Sequence, residues 1–476
     1  MRPPRRRIHD PRLLVAAIAL LAAVLPSCTT PVRNVAGPVA VPESFSRTGT
    51  GAAPDRWWLA MNDPHLDALV EEALAGNLNL RVLWDRLDQA SATARRAGAD
   101  FFPDVTGTAD ASRSRWHSLD APTVYQNAFG LRLAASYELD LWGRVRSNVR
   151  AAEFEVRATQ DDLAAAAMTL AAEVAATWYR ILDTRGQIAL LDEQLRTNQD
   201  YESLVTLRFR RGMVSAVDVL QQRGLVEATR AEKVRAESAL AVLGHQVAIL
   251  LGRAPAATVT KPDGTLPPLP PLPRTGLPVE WVRRRPDVRS AYLRLREADQ
   301  RVAAAVADRF PRISLSVGAE TTAEEARNLF DNWLANLAAN LSAPLFDGGR
   351  REAEVDRTRA VASERLHAYG QTILESLKEV EDALVQEQQQ ERYLASLDQQ
   401  LDLAVKTTAR TRQQYVNGGL DYLRVLTALQ SEQRLQRSRL QAQRELILFR
   451  IGLYRALGGA WEMQRPARNA EAEAGM

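Results

Sequence analysis

The chain has 476 residues, 46% of them apolar and 25% charged, with a formal net charge of +3. Acidic and basic residues are interspersed, which excludes nucleic acid as a partner. The single cysteine, Cys28, excludes an internal disulfide framework, and the five histidines (His9, His65, His117, His245, His367) show no metal-ligand spacing.

The N-terminus reads as a targeting segment. Arg2, Arg5, Arg6, Arg7 and Arg12 form a positive region before the apolar run Leu13 to Leu25, which is far short of the ~20 residues a spanning helix needs. Leu25-Pro26-Ser27-Cys28 resembles a lipoprotein box rather than an ordinary signal peptide with an incidental cysteine. It implies removal of residues 1–27 and a covalent lipid, diacylglycerol plus an N-acyl chain, on Cys28. Thr29, rather than an aspartate, follows that cysteine, which by likeness to bacterial lipoproteins favours the outer membrane. The arginine run hints at a twin-arginine signal, but the rest of that motif is absent. No later segment is an apolar run of membrane-helix length, so any crossing must use β-strands.

Residues 28–62 read as an extended leader, rich in Pro, Gly, Thr and Val. Asp63-Pro64 then marks a helix start, with Leu66, Leu69, Val70 and Leu74 on one face and Gly76-Asn77 at its end. A second helix is expected from about Leu80 to Ala99. Two strands follow at about 103–141. Phe129, Leu131, Leu133, Ala135, Tyr137, Leu139 and Leu141 alternate with other residues, as Val105, Gly107, Ala109 and Ala111 do more weakly. Two more strands lie at about 311–346, with Ile313, Leu315, Val317 and Ala319 on one and Trp333 to Leu345 alternating on the other. Strands of ~10 residues with one apolar face suit a transmembrane barrel; a soluble half-buried sheet is the plainer alternative. Four strands cannot close a barrel, whereas three copies supply twelve.

Gly143 to Arg211 contains no proline, and neither does Gly349 to Tyr415. In the first, Ala167, Val174, Ile181, Ile188 and Leu195 recur every seven residues, with Leu163, Leu170 and Leu191 in a second register. In the second, Leu366, Ile373 and Val380 do the same, until Gln386 to Glu391 interrupts the seam. Both predict coiled-coil helices, each near 100 Å long at ~1.5 Å per residue. Each meets a glycine turn, Gly212 or Gly418-Gly419, and returns as a shorter helix, giving hairpins over 143–252 and 349–458. Between the halves, residues 253–278 carry Leu266-Pro267-Pro268-Leu269-Pro270-Pro271-Leu272-Pro273, a polyproline-type spacer. Residues 462–476 read as a disordered tail.

The chain is duplicated. Gly143-Arg144 and Gly349-Arg350, Gly212 and Gly418, and Leu251-Gly252 and Leu457-Gly458 are each 206 positions apart, and Phe102-Pro103 lies 208 positions before Phe310-Pro311. Repeat 1 spans 63–252 and repeat 2 spans 279–461, which suggests pseudo-symmetric halves contributing to a larger tube. Several segments, in order, resemble one family. They include Trp57-Trp58, Asn62-Asp63-Pro64-His65-Leu66-Asp67-Ala68-Leu69 and Tyr137-Glu138-Leu139-Asp140-Leu141-Trp142-Gly143-Arg144. Arg283-Arg284-Arg285-Pro286-Asp287 and Pro344-Leu345-Phe346-Asp347-Gly348-Gly349-Arg350 continue the match. The chain resembles the TolC-like outer-membrane factors of tripartite efflux systems, specifically the NodT-type lipoproteins.

That resemblance implies a mainly α fold with a membrane β-barrel, built as a homotrimer with twelve strands and a helical periplasmic tunnel. It implies a passive export duct partnered by a periplasmic adaptor, an inner-membrane RND pump and outer-membrane lipid, with no cofactor beyond the lipid on Cys28. The tip turns at Gly212, Gly418 and Gly419 would meet the adaptor. Asp218, Tyr415 and Leu423 match gate or constriction positions. Arg424 and Thr427 stand where relatives often carry aspartates. Plainer roles compete: Ser215-x-x-Asp218 has capping-box spacing, Asp421 also reads as a cap, and Tyr415 and Leu423 also read as interface packing. Arg424 either faces the lumen or latches outward, for example to Asp218 of a neighbouring hairpin. No nucleophile–base pair, carboxylate pair or phosphate loop is present, so no enzyme is read here. A type I secretion duct and a lipid-anchored coiled-coil scaffold are the competing functions; the alternating strands argue against the scaffold.

Overall fold

The computed structural model describes residues 39–51, 55–255, 265–459, 463 and 465. Cys28 and the targeting segment lie outside the described residues. The chain divides into two compact units: residues 92–154 with 295–365, and 38–91 with 155–294 and 366–476.

The duplication is visible in the elements themselves. Repeat 1 carries α1 (Pro64–Gly76), α2 (Leu78–Ala99), β1 (Asp104–Ser118), β2 (Ala121–Leu139), α3 (Arg144–Arg210) and α4 (Ala216–Leu250). Repeat 2 carries α5 (Pro278–Arg284), α6 (Pro286–Ala307), β3 (Arg312–Ala323), β4 (Trp333–Ser342), α7 (Arg350–Val416) and α8 (Tyr422–Leu457). The long helices α3 and α7 have 67 residues each, and α2 and α6 have 22 each. Among the described residues no helix is long and apolar enough to cross a membrane.

The first unit is built on an antiparallel sheet in the order β1-β2-β3-β4, leaving β1 and β4 as edges. Its register joins one row of apolar positions across all four strands. Ala109 faces Leu131, which faces Thr321, which faces Trp333; Val105 faces Ala135, then Val317 and Leu337. Most of this row is exposed in the single chain: Leu337 is 80% exposed and Trp333 76%. The other face carries Arg132, Ser136, Ser314, Ser316, Glu320, Asn336 and Asn340. The strand read as reaching Leu141 ends at Leu139, because Asp140 turns the chain: its carboxylate accepts from Val145 N and Arg146 N at 2.9 Å, capping α3. Asp347 caps α7 in the same way through Gly349 N at 3.1 Å and Arg351 N at 3.4 Å. The Arg351 guanidinium beside Asp347 holds that carboxyl below its ordinary range.

The second unit holds the apolar clusters. Trp57, Trp58 and Met61, on a 3-10 turn at the end of the leader, pack with Leu66, Val70, Trp178, Tyr179 and Tyr454. Asp63 starts α1 by accepting from His65 N and Leu66 N, and its second oxygen accepts from Trp178 Nε1 at 2.7 Å. The proline-rich segment is a strap rather than a free spacer. Gly49 N donates to Pro273 O and Gly51 N to Leu272 O, while Arg274 N donates back to Gly51 O, so leader and linker run side by side. Arg450 Nη1 donates to Pro270 O at 2.5 Å and Pro271 O at 3.1 Å. The tail is tied down at Arg465, which pairs with Asp85 and Asp88 and lies over the Trp84 ring.

The coiled-coil seams also differ from the sequence expectation. In α3 the rows through Ala167, Val174 and Ile181 and through Leu163 and Leu170 are buried as expected. Beyond Asp183 the buried row becomes Gln187, Leu191, Gln194, Asn198, Tyr201 and Val205, while Ile188 and Leu195 are only half-buried. The steps alternate by four and three, so this is an a/d seam with amides at its knob positions. In α7 the seam does not stop at Gln386. It runs Ile373, Leu377, Val380, Leu384 and Glu387, with Glu387 fully buried. The glutamate is accommodated because Arg450 of α8 meets it with a bidentate pair, Nε–Oε2 2.8 Å and Nη2–Oε1 2.6 Å.

Candidate functional site

The tip of each hairpin is a helix–turn–helix whose geometry follows from one glycine. Gly212 has φ +69° and Gly418 φ +78°, the left-handed conformation that side chains with a Cβ disfavour. Each closes its long helix with the same pair of bonds. Met213 N donates to Arg208 O and Gly212 N to Phe209 O; Gly419 N donates to Gln414 O and Gly418 N to Tyr415 O. This is a Schellman ending, repeated at a spacing of 206 positions.

The next helices start differently. Ser215 caps α4 through a complete capping box: its Oγ accepts from Asp218 N, and Asp218 Oδ2 accepts from Ser215 N at 2.9 Å. Ser215 Oγ also lies 2.9 Å from that carboxylate oxygen. In the second repeat Asp421 itself is the cap, accepting from Arg424 N at 3.1 Å. Arg424 therefore occupies the third helical position, where the first repeat has Asp218.

Below the turns lies an aromatic and aliphatic cluster of Tyr201, Val205, Val219, Tyr415, Tyr422, Val425, Leu426 and Leu429. The Tyr415 and Tyr422 ring centroids are 5.4 Å apart. The Arg208 guanidinium lies 4.4 Å from the Tyr415 ring centroid, and its Nη1 donates to Tyr415 O at 3.2 Å. Tyr422 OH lies 2.5 Å from Gln222 Oε1, and burial pushes its phenol above the ordinary tyrosine range. Gln222 Nε2 donates to Asn198 O at 2.6 Å, and Asn198 exchanges amide bonds with Gln433 and donates to Thr229 Oγ1. The polar ladder continues through Gln194 with Arg437 and Gln436, Gln187 with the Arg437 carbonyl, and Asp183 with Arg444. Burial holds the Asp183 carboxyl above its usual range against the pull of Arg444. Sequence reasoning missed this ladder; its only signal was a row of Asn and Gln at a/d spacing.

Of the sequence-predicted residues, Tyr415 lies inside the cluster and Asp218 inside its capping box. Leu423 and Arg424 on the first turn of α8, and Thr427 on the second, are exposed. Thr427 Oγ1 donates to Leu423 O at 2.9 Å. Among the described residues Arg424 has no ion-pair partner within the chain.

A family model described as outer membrane efflux protein matches residues 69–253 and 277–459, the two repeats in turn. The chain belongs to the outer membrane efflux protein family. This efflux protein is 32% identical to the pyoverdine export outer membrane protein OpmQ of Pseudomonas putida, over 96% of the chain and 98% of the relative. It is 29% identical to the cation efflux system protein CusC of Escherichia coli O6:H1, over 89% and 93%. The solved structure of the outer-membrane channel OprN superposes with a TM-score of 0.81 at 28% identity, covering 89% of this chain and 99% of that one. The efflux protein is thus the outer-membrane channel component of a bacterial efflux system, with the protomer architecture that trimerises into a barrel in this family. The family is one of channels rather than catalysts.

Proposed function

We propose that three copies of this chain close a passive duct whose periplasmic opening is controlled at the two tip turns, with Arg424 as the group that sets its charge. The position of Arg424 carries this reading. The third residue of a helix favours a carboxylate, because the helix dipole places partial positive charge there. The first repeat obeys with Asp218, whereas the second places an exposed cation at the matching position. A cation there opposes local helix stability, so a role beyond the helix accounts for it. Leu423 and Thr427 lie beside it on the same exposed face, one turn apart. Asp218 and Tyr415 act by holding the turns in shape.

The unpaired β1 and β4 edges and the exposed apolar face support closure by identical neighbours rather than a free sheet. Exposed Met213, Val217 and Leu220 at the first tip offer apolar contact to a periplasmic adaptor leading to an RND-type pump. Cys28 carries the lipid that fixes the N-terminus to the outer membrane. Relatives named for pyoverdine export and for cation efflux match nearly the whole chain, which supports a wide duct whose cargo the pump selects.

The test is single-channel recording of the full-length protein in planar bilayers, for wild type, Arg424→Ala and Arg424→Asp. Arg424→Asp is expected to shift the reversal potential toward cation selectivity, with Arg424→Ala between. Unchanged conductance and reversal potential in both variants would remove Arg424 from the gate.

A further inference from the structure

The first strand pair outruns the second. β2 pairs with β3 only from Phe129 onward, while residues before it pair with β1 alone, so the β1–β2 ribbon continues past the level of Ala323. The ribbon's turn lies at the opposite end of β2 from Leu139, where α3 follows, and in the proposed duct that end faces the outer leaflet.

The parity of the apolar face continues along this ribbon but changes chemistry. After Val105, Gly107, Ala109 and Ala111 come Arg113, opposite Asn127, and Arg115, opposite Tyr125. Both guanidinium groups gather on one ring: Arg113 Cζ is 5.3 Å and Arg115 Cζ 5.8 Å from the Tyr125 centroid. All three side chains are exposed, and among the described residues neither arginine has an ion-pair partner. His117 follows, its Nδ1 3.0 Å from Thr123 Oγ1. No acidic residue occupies this parity on any of the four strands.

The level of the pair along the membrane normal follows from strand geometry. Leu139 and Phe129 bound the apolar row of β2 and lie about 34 Å apart along the strand at ~3.4 Å per residue. A tilt near 40° reduces this to about 26 Å along the normal, close to the apolar band of such barrels. Arg113 and Arg115 stand one and two dyad steps beyond Phe129, at about 5 and 10 Å along the normal, which is the headgroup layer.

We propose that Arg113 and Arg115, braced by Tyr125, form a docking surface for the phosphate groups of anionic outer-leaflet lipid headgroups. Two guanidinium forks on a shared ring present donors in the planar arrangement that phosphate oxygens accept, with fewer rotamers to lose than free arginines have. A face without carboxylates leaves that field uncancelled. The occupant is a membrane lipid rather than free phosphate, because the acyl chains below the headgroup would lie along Ala111, Phe129 and Leu131.

The experiment uses the full-length protein in neutral detergent and native mass spectrometry, with added bisphosphorylated lipid A, its dephosphorylated form, or inorganic phosphate. The wild-type trimer is expected to retain the bisphosphorylated lipid in preference to the other two, and more weakly as salt rises. Arg113→Gln/Arg115→Gln is expected to weaken it roughly thirtyfold, from about 1 kcal/mol per arginine at a charged surface. Arg327→Gln, in the β3–β4 connection, should leave it unchanged. Equal retention of phosphorylated and dephosphorylated lipid, equal binding of inorganic phosphate, or an unaffected double variant would overturn the proposal. If the double variant does not assemble, the three ligands and the salt series on wild type decide alone. The inference rests on the closed three-copy barrel, whose failure would appear separately as absence of the trimer mass.

Discussion

The sheet unit and the helical unit are inverted with respect to each other. In the first, Trp333, Leu337 and Leu341 stand exposed, while buried positions on the neighbouring helical segments are mostly small, such as Ala151, Ala298 and Ala307. In the second, Asn198, Gln222 and Glu387 are wholly buried among helices whose outer faces are charged. Each pattern answers a different surrounding. Hydrocarbon rewards an apolar exterior and gives no advantage to hiding it, whereas water drives apolar groups inward and tolerates buried amides only if each finds a partner. The paired amides of the seam also fix which residue meets which, something a uniform leucine seam does poorly.

The contrast can be broken most severely at the buried ion pair. Arg450→Met leaves the buried Glu387 without its partner and frees the Pro270 and Pro271 carbonyls; a loss of about 3–5 kcal/mol is expected in chemical unfolding, with faster proteolysis of the linker. Adding Glu387→Leu should recover most of the unfolding loss. If Arg450→Met alone were neutral, the pair would not hold the strap. On the sheet, Leu337→Arg should cost about 2–4 kcal/mol, read as reduced heat resistance of the trimer on semi-native gels. Asn336→Arg, one residue away on the other face, should cost less and alter conductance instead; equal effects would refute the assignment of faces. Asn198→Ala removes the centre of the amide ladder and should cost about 1–3 kcal/mol by leaving Gln433 and Thr229 short of partners.

The smallest effect is a pH dependence. Burial raises the Tyr422 and Tyr179 phenols above their ordinary range. The unfolded chain releases these protons near pH 10 while the folded chain keeps them, so their contribution to stability falls as pH rises above about 10. Tyr422→Phe should reduce that alkaline slope by about one proton, or 1.4 kcal/mol per pH unit. An unchanged slope would place the Tyr422 hydroxyl in solvent.

The strands and hairpins were legible because their signals are local: a period of two, a period of seven, and glycine at each turn. The course of the seam was not. Ile188 and Leu195 satisfy a hydrophobicity rule better than Gln187 and Gln194, yet the glutamines are the more buried. Their partners, Arg437 and Gln436, lie 250 and 242 positions away, so no window of sequence contains the reason for their burial. Glu387 misled in the same way, since its cation is Arg450, on another helix. At the tip, the Asp218 capping box was written in four consecutive residues and could be read directly. The weight of the proline segment could not, because its carbonyls are held by that same distant arginine.

The two Schellman turns are geometrically alike but electrically opposite at the third residue of the following helix. In the proposed three-copy duct these turns would supply two kinds of helix start, one presenting a carboxylate engaged in its own cap and the other an exposed guanidinium, so a partner group that matches the charge of one turn opposes that of the other.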